Sequence, residues 1–158
     1  MSDNPWNIPL SFYFLVTFQN TNGVMFNASF REVEGLGWTL NMEDKETSNG
    51  VKLKMPKSLS FSDLVLKCPL APLSTEFSGW IDACVKKMSD PSSSGPILQT
   101  EACNVVVKLL DRGGKPWAVW SFGHAYPCKY SLGSFNAESS ALAIETVTLV
   151  YVSVERKQ

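Results

Sequence analysis

Hydrophobic residues recur along this chain with two different periods, and the place where the period changes divides it. From Leu10 to Phe18 they alternate: Phe12, Phe14, Val16 and Phe18 share one face, and Tyr13, Leu15 and Thr17 the other. Period two with aromatic and β-branched side chains predicts a strand. Gln19 to Gly23 is turn chemistry, and Val24 to Glu34 resumes an extended pattern, so the chain opens as a hairpin. Gly35 and Gly37 break it, and Trp38 to Met42 starts another strand. Glu43 to Gly50 is polar and predicts a loop. Val51, Leu53 and Met55 then alternate with Lys52 and Lys54 until Pro56 stops the run, and Leu59 to Leu66 is extended again.

After Pro69 and Pro72 the period becomes helical. Phe77, Trp80, Ile81, Cys84, Val85 and Met88 fall on one face of a helix over about 74–88. Ser74 is placed to cap it, Glu76 sits in the first turn, and Lys86 and Lys87 in the last, as the helix dipole favours. Burying six such side chains would contribute roughly 9 to 18 kcal/mol gross.

Ser89 to Pro96 has loop composition, and 89–100 is read as a flexible surface excursion. Strands are expected at Cys103–Leu110 and Pro116–Phe122 around a turn at Asp111–Lys115, with Ala141–Val154 the last and longest. The sum is a mainly β domain, a sandwich or barrel of about seven or eight strands with one flanking helix. Residues 1–158 form one domain, with 1–9 an N-terminal arm.

Several strands are apolar on both faces, the last above all, with Ile144, Val150, Val152 and Val154 at even positions and Val147, Leu149 and Tyr151 at odd ones. An isolated antiparallel sheet usually keeps one wet face. Either the helix covers the second face here or another subunit does. The composition points the same way: 18% of residues are charged, below the roughly 25% of a typical soluble domain. The net charge of −1 from 14 basic and 15 acidic residues leaves little barrier to self-association and no field to attract nucleic acid.

Chemistry is hard to find. His124, the single histidine, precedes Cys128 by four residues, with Pro127 expected to interrupt the strand between them, and could form a nucleophile pair with it, or share a metal with Cys128, Cys103 or Cys84. Neither spacing matches a known arrangement. Cys68, Cys84, Cys103 and Cys128 read as buried thiols, a single disulfide being the alternative. Asp44, Glu46, Asp82, Asp111 and Glu145 scatter over positions that suit solvent. No catalytic residue, cofactor or metal is expected. With no signal peptide and no membrane-spanning run, the chain is expected to be made in the cytoplasm.

The order of features resembles the tail-tube proteins of contractile phages and of related contractile injection particles. Phe30 to Leu36 is similar to that family's Phe-x-x-Val-x-Gly-Leu, and Lys54-Met55-Pro56 followed by Leu64 to Lys67 to its Lys-x-Pro and Leu-x-Leu-Lys. Trp80-Ile81 matches its helix. Val105, Leu110-Asp111, Trp120, Ala125 to Pro127, Phe135 to Ser140 and Ala143 to Glu145 match its C-terminal half.

The resemblance implies a structural subunit that forms hexameric rings stacked into a hollow tube, with neighbouring strands joined in one barrel. Its partners would be copies of itself, sheath and baseplate or spike proteins, and cargo in the lumen. It would be found in an assembled particle, released by lysis. The subunit contacts are expected at Val147, Leu149, Val150 and Val152 of the last strand, and at Glu43, Asp44, Lys45 and Glu46, with the latter loop acting on stacking. Three departures leave main tube and specialised end ring both open: Cys68 to Pro72, the loop at Glu43–Gly50, and Lys57 where glycine is common. A monomeric barrel holding an apolar ligand among its aromatics is the alternative.

Overall fold

The first alternating run forms β1 (Tyr13–Asn20) in the computed structural model, which describes residues 13–69, 75–90, 92, 101–134, 138 and 143–157. The arm at 1–9, the cap Ser74, most of 89–100 and most of the Phe135–Ser140 match lie outside the described residues. β1 turns into β2 (Met25–Phe30) because the Asn20 side chain accepts the amides of Asn22 and Val24, at 3.0 and 2.9 Å, and Gly23 takes a φ of 82°. The register places Phe18 opposite Phe26 and Phe14 opposite Phe30.

The extended run does not continue to Glu34 as one strand. It breaks at Arg31, and β3 (Glu32–Glu34) leaves β1 to pair with β6 (Leu64–Pro69). Gly35 then turns the chain at a φ of 86° so tightly that a Cβ there would collide with the Asp63 carbonyl oxygen. Among the described residues the next two strands, β4 (Trp38–Glu46) and β5 (Lys52–Phe61), pair only with each other.

α1 (Thr75–Ser89) has Glu76 in its first turn and Lys86 and Lys87 in its last. β7 (Cys103–Leu110) and β8 (Pro116–Leu132) follow, joined by a turn in which Asp111 Oδ1 accepts the amides of Gly113 and Lys115, both at 2.9 Å. The longest strand is β8 and not the last one. The expected strand Ala141–Val154 is β9 (Ile144–Val150) and β10 (Ser153–Arg156), interrupted at Tyr151 and Val152. Neither His124 nor Pro127 ends β8. His124 adopts a φ of 54° where the β7 register shifts, and a bulge at Cys128 follows Pro127.

All pairings are antiparallel, in the order β2-β1-β7-β8-β9-β6-β3, with β10 also on β8. β8 is long enough to serve two half-sheets: its first part pairs with β7 and β10, its second with β9. The ends of this path, β2 and β3, are neighbours in sequence, and between them the Arg31 amide donates to the Lys67 carbonyl at 3.0 Å. The sheet therefore curls back on itself, which removes most of its free edges.

The interior is filled by Val16, Phe18, Val105, Val107, Phe122, Leu64, Leu66, Val147 and Leu149, and closed by α1. Phe18 stacks on Phe26 at 5.0 Å and meets Phe77 and Trp80 of the helix at 5.2 and 5.3 Å. Trp80 Nε1 donates to the Glu101 carbonyl at 2.6 Å, so its polar edge is satisfied. Phe77, Trp80, Ile81 and Cys84 are buried, whereas Val85 and Met88 are exposed. Four buried side chains instead of six give roughly 6 to 12 kcal/mol gross. The helix packs on the inner face only. Ile144 and Val150, on the outer face of β9, remain half-buried and are not covered by it.

Candidate assembly interface

β4 and β5 form an arm. Eighteen of its nineteen residues are exposed, Glu43 alone being half-buried, so the arm buries nothing of its own. Ten residues at about 3.4 Å each make it about 34 Å long. A lone two-stranded hairpin is marginal in water, and this one carries Trp38, Leu40, Met42, Leu53, Met55, Leu59 and Phe61 in exposed positions.

The polar run Glu43–Glu46 is strand and not loop; only Thr47–Val51 turns, held by the Thr47 amide donating to the Val51 carbonyl at 2.9 Å. Nor does Pro56 end the next strand. Pro56 sits opposite Met42 beside a register shift, with Ser58 opposite Asn41, which leaves Lys57 unpaired. A bulge on a hairpin with two free edges has room for a proline that cannot donate. The bulge also reverses the alternation. Trp38, Leu40, Met42, Leu59 and Phe61 share one face at the base, backed by the polar pairs Thr39–Ser60 and Asn41–Ser58. Beyond the bulge, Leu53 and Met55 lie on the opposite face with Lys45 and Glu43, and the first face becomes Asp44, Glu46, Lys52 and Lys54.

The apolar base faces the body across a groove of about 730 Å³, walled on the far side by Trp120, Tyr151 and Val154. Tyr151 fastens the two together. Its hydroxyl donates to the Ser62 carbonyl at 2.7 Å, and its ring lies 6.1 Å from Phe61 and 4.8 Å from Phe122. Burial holds its phenol above the ordinary value. Arg156 lies over Trp120 at 5.7 Å.

The residues expected to make subunit contacts therefore separate. Val147 and Leu149 are 2% and 0% exposed and belong to the chain's own core, because odd positions of β9 point inward. They are not available to a neighbour. Val150 is half-buried on the outer face, and Val152 is 62% exposed at the break before β10. Glu43, Asp44, Lys45 and Glu46 lie on the arm, where Lys45 pairs with Glu43 at 3.2 Å.

No nucleophile is assembled at His124 and Cys128. Both are exposed on a strand whose alternation is broken between them. The His124 amide donates to Asn104 at 3.3 Å, and Cys128 donates to the Thr148 carbonyl at 3.5 Å, with partial burial raising its pKa instead of activating it. Cys68, Cys84 and Cys103 are buried and free, as expected for structural thiols, while Cys128 is exposed. Among the described residues no cluster of histidine, cysteine and carboxylate could hold a metal. None of their helices is long and apolar enough to cross a membrane.

One buried acid was misplaced by the sequence reading. Glu145 is 4% exposed and not solvated. Tyr130 donates to its Oε1 at 2.6 Å and the Cys68 thiol to its Oε2 at 3.7 Å. The bond to Glu145 pushes the Tyr130 phenol up to about 12, and burial pushes Cys68 to about 11. Its position offered the signal: Glu145 shares the odd, inward parity of Val147 and Leu149.

Residues 10–155 match the model of the family described as T4-like virus tail tube protein gp19. No curated relative matches. The fold is shared with a chain of the anti-feeding prophage baseplate, at a TM-score of 0.75 and 24% identity over 99% of this chain and 97% of that one. A chain of the PVC extracellular contractile injection system sheath–tube complex, in its extended state, gives 0.73 and 22% over 99% and 98%. The anti-feeding prophage tube-terminating cap gives 0.69 and 19% over 100% and 99%. Below 25% identity these likenesses establish the fold, and the match over nearly the whole length establishes descent: the chain belongs to the T4-like virus tail tube protein family.

Proposed function

We propose that this chain is a subunit of the inner tube of a contractile injection particle or phage tail. It assembles as hexameric rings that stack into a hollow tube, and a contracting sheath drives that tube through a target envelope. The observation that carries this reading is the arm: a family member whose β4–β5 hairpin is exposed on both faces and, among the described residues, free at both edges is complete only against copies of itself. The half-buried outer face of β9 supports it. The subunit performs no catalysis in this role; it supplies stiffness and a continuous lumen wall. It meets sheath and baseplate proteins outside and at the ends, and cargo inside. It is made in the cytoplasm and leaves the cell in the assembled particle. The solved structures that share its fold include baseplate, sheath–tube and cap chains, which is compatible with a main tube ring or an end ring.

A monomeric ligand barrel fits the geometry poorly, because Phe18, Phe77 and Phe122 are fully buried in the interior where a ligand would sit. Purified protein, alone and with its baseplate partner, should give rings or tubes by negative-stain microscopy and light scattering. A strictly monomeric species at every concentration, with and without that partner, refutes the reading.

A further inference from the structure

Sulfur collects at the C-terminal end of α1. Cys84 and Met88 are four residues apart on the helix, a spacing that sets their Cβ atoms about 5 to 6 Å from each other on one face. Both line a cavity of about 190 Å³, whose remaining wall is the stretch of β8 from Pro127 to Tyr130. Cys128 is brought there by the bulge. Pro127 pairs with Leu149 and Lys129 with Thr148, so Cys128 has no partner across β9. A bulge re-aims the side chain it carries, and bulges recur beside functional sites. The Cys128 thiol donates to the Thr148 carbonyl at 3.5 Å, which holds it in place. Cys84 is buried, whereas Met88 and Cys128 are exposed, so the set runs from the core to the surface. Two thiols and a thioether therefore meet at one cavity. The Tyr130 hydroxyl, on the same wall, is already engaged by Glu145. No histidine or carboxylate lines the cavity among the described residues.

We propose that Cys84, Cys128 and Met88 form a three-sulfur site for a soft monovalent metal ion, copper(I) in class. The site is independent of the tube reading and departs from the expectation that no metal binds. His124, which the sequence offered as a fellow ligand, does not line the cavity. Thiolate and thioether sulfur select copper(I) over ions that favour nitrogen and oxygen. Zinc finds three ligands here and no fourth of its usual kind. Met88 is unbranched, so its thioether can swing onto an ion held between the two thiols. Charge fits as well. One monovalent ion and two thiolates leave a single negative charge, and a lysine acts on each thiol. Burial pushes the Cys84 thiol up to about 12 and Glu101 adds to this, while Lys87 opposes them. At Cys128, burial and Asp63 raise the thiol and Lys129 opposes them. Both thiols keep their protons at neutral pH, so binding must displace them and strengthens as pH rises. Each S–H bond breaks as a copper–sulfur bond forms, two protons leave to solvent, and the copper stays monovalent.

The test titrates the full chain, reduced, dilute and free of oxygen, with copper(I) against a chromophoric copper(I) chelator. Wild type should take up one ion per chain. Its affinity, corrected for the chelator's own protons, should rise about 100-fold per pH unit near pH 7, the signature of two displaced protons. Cys128→Ser alters an exposed position, so the melting temperature should hold while most of the affinity is lost and the slope drops to about tenfold per pH unit. Met88→Leu should weaken binding by about tenfold or more and keep the two-proton slope. Cys68→Ala, outside the cavity, should bind like wild type. An excess of zinc should not displace the copper. The proposal is overturned if wild type takes up no copper(I), if Cys128→Ser or Met88→Leu binds like wild type, or if the wild-type slope is near tenfold. Uptake abolished by Cys68→Ala, or displaced by zinc, overturns it equally.

Discussion

Two adjacent residues of β9 should respond to substitution in opposite ways. Leu149 is fully buried among Leu64, Phe122 and Val147, whereas Val150 is half-buried on the outer face. Leu149→Ala leaves a cavity in a packed interior and should cost about 2 to 5 kcal/mol. At about 2 to 4 °C per kcal/mol for a chain of this size, the melting temperature should fall by roughly 4 to 20 °C. Val150→Lys places an amphipathic side chain where its ammonium reaches water, and should change stability by no more than about 0.5 kcal/mol. Its effect should appear in assembly, because a lysine facing an apolar neighbour is desolvated without a partner. The assay pairs a thermal melt, followed by tryptophan fluorescence on dilute unassembled protein, with ring counts by microscopy at high concentration. An unchanged melt for Leu149→Ala would contradict the inward register of odd β9 positions. Normal rings from Val150→Lys would remove the outer face of β9 from the subunit contact.

Gly35→Ala should destabilise the fold by about 2 kcal/mol or more, since it combines a positive φ with a collision against the Asp63 carbonyl; a melt equal to wild type would refute the geometry of that corner. Tyr130→Phe should cost roughly 1.5 to 3 kcal/mol by removing the stronger of two donors to buried Glu145, measured by urea titration, and a cost near zero would show that the carboxyl reaches water. Stability should also fall with alkaline pH. Cys68, Cys84, Cys103 and Tyr130 have folded pKa values of about 11, 12, 12 and 12, the thiols raised chiefly by burial and Tyr130 by its bond to Glu145, against ordinary values of 9.0 for thiols and 10.0 for tyrosine. The folded state binds these protons more tightly, so the contribution is complete below about pH 9 and is lost as pH rises from about 9 to 12. A urea midpoint that stays level between pH 9 and 11 would be inconsistent with it.

The core was legible where the pattern had one period and one face. Phe14, Val16 and Phe18 alternate, and Cys103 to Leu110 has the predicted bounds. The helix was legible through Phe77, Trp80, Ile81 and Cys84, but periodicity could not show that the last turn leaves Val85 and Met88 exposed. Breaks in strands were read from residue type, and residue type misled at three places. Pro56 and Pro127 sit beside bulges and do not end their strands, and Arg31, with no breaker signal, marks the point where the chain changes partners. Bulges and partner exchange depend on what lies across the sheet, which no local pattern contains. The split of β9 follows the same logic. Apolar residues at both parities suggested one two-faced contact surface, but the odd positions belong to the core and only the even ones lie on the outer face.

The bulge at Lys57 bears most directly on assembly. Leu53, Met55, Leu59 and Phe61 have the same parity, and a regular strand would put all four on one face, where a single flat partner could cover them. With one residue unpaired between them, Leu59 and Phe61 turn toward the body's groove while Leu53 and Met55 turn the other way. The arm's base is thus fastened to its own chain, through Tyr151 and Ser62, and its outer half is not. Contact with one body cannot satisfy both apolar patches. In the proposed tube, an arm clamped at its base, with its outer half apolar on the reverse face, would have that half covered by a neighbouring subunit. Restoring regular pairing by inserting one residue between Asn41 and Met42, opposite Lys57, would return all four apolar residues to one face. The fold would then keep its core, and the arm would lose one of its two patches.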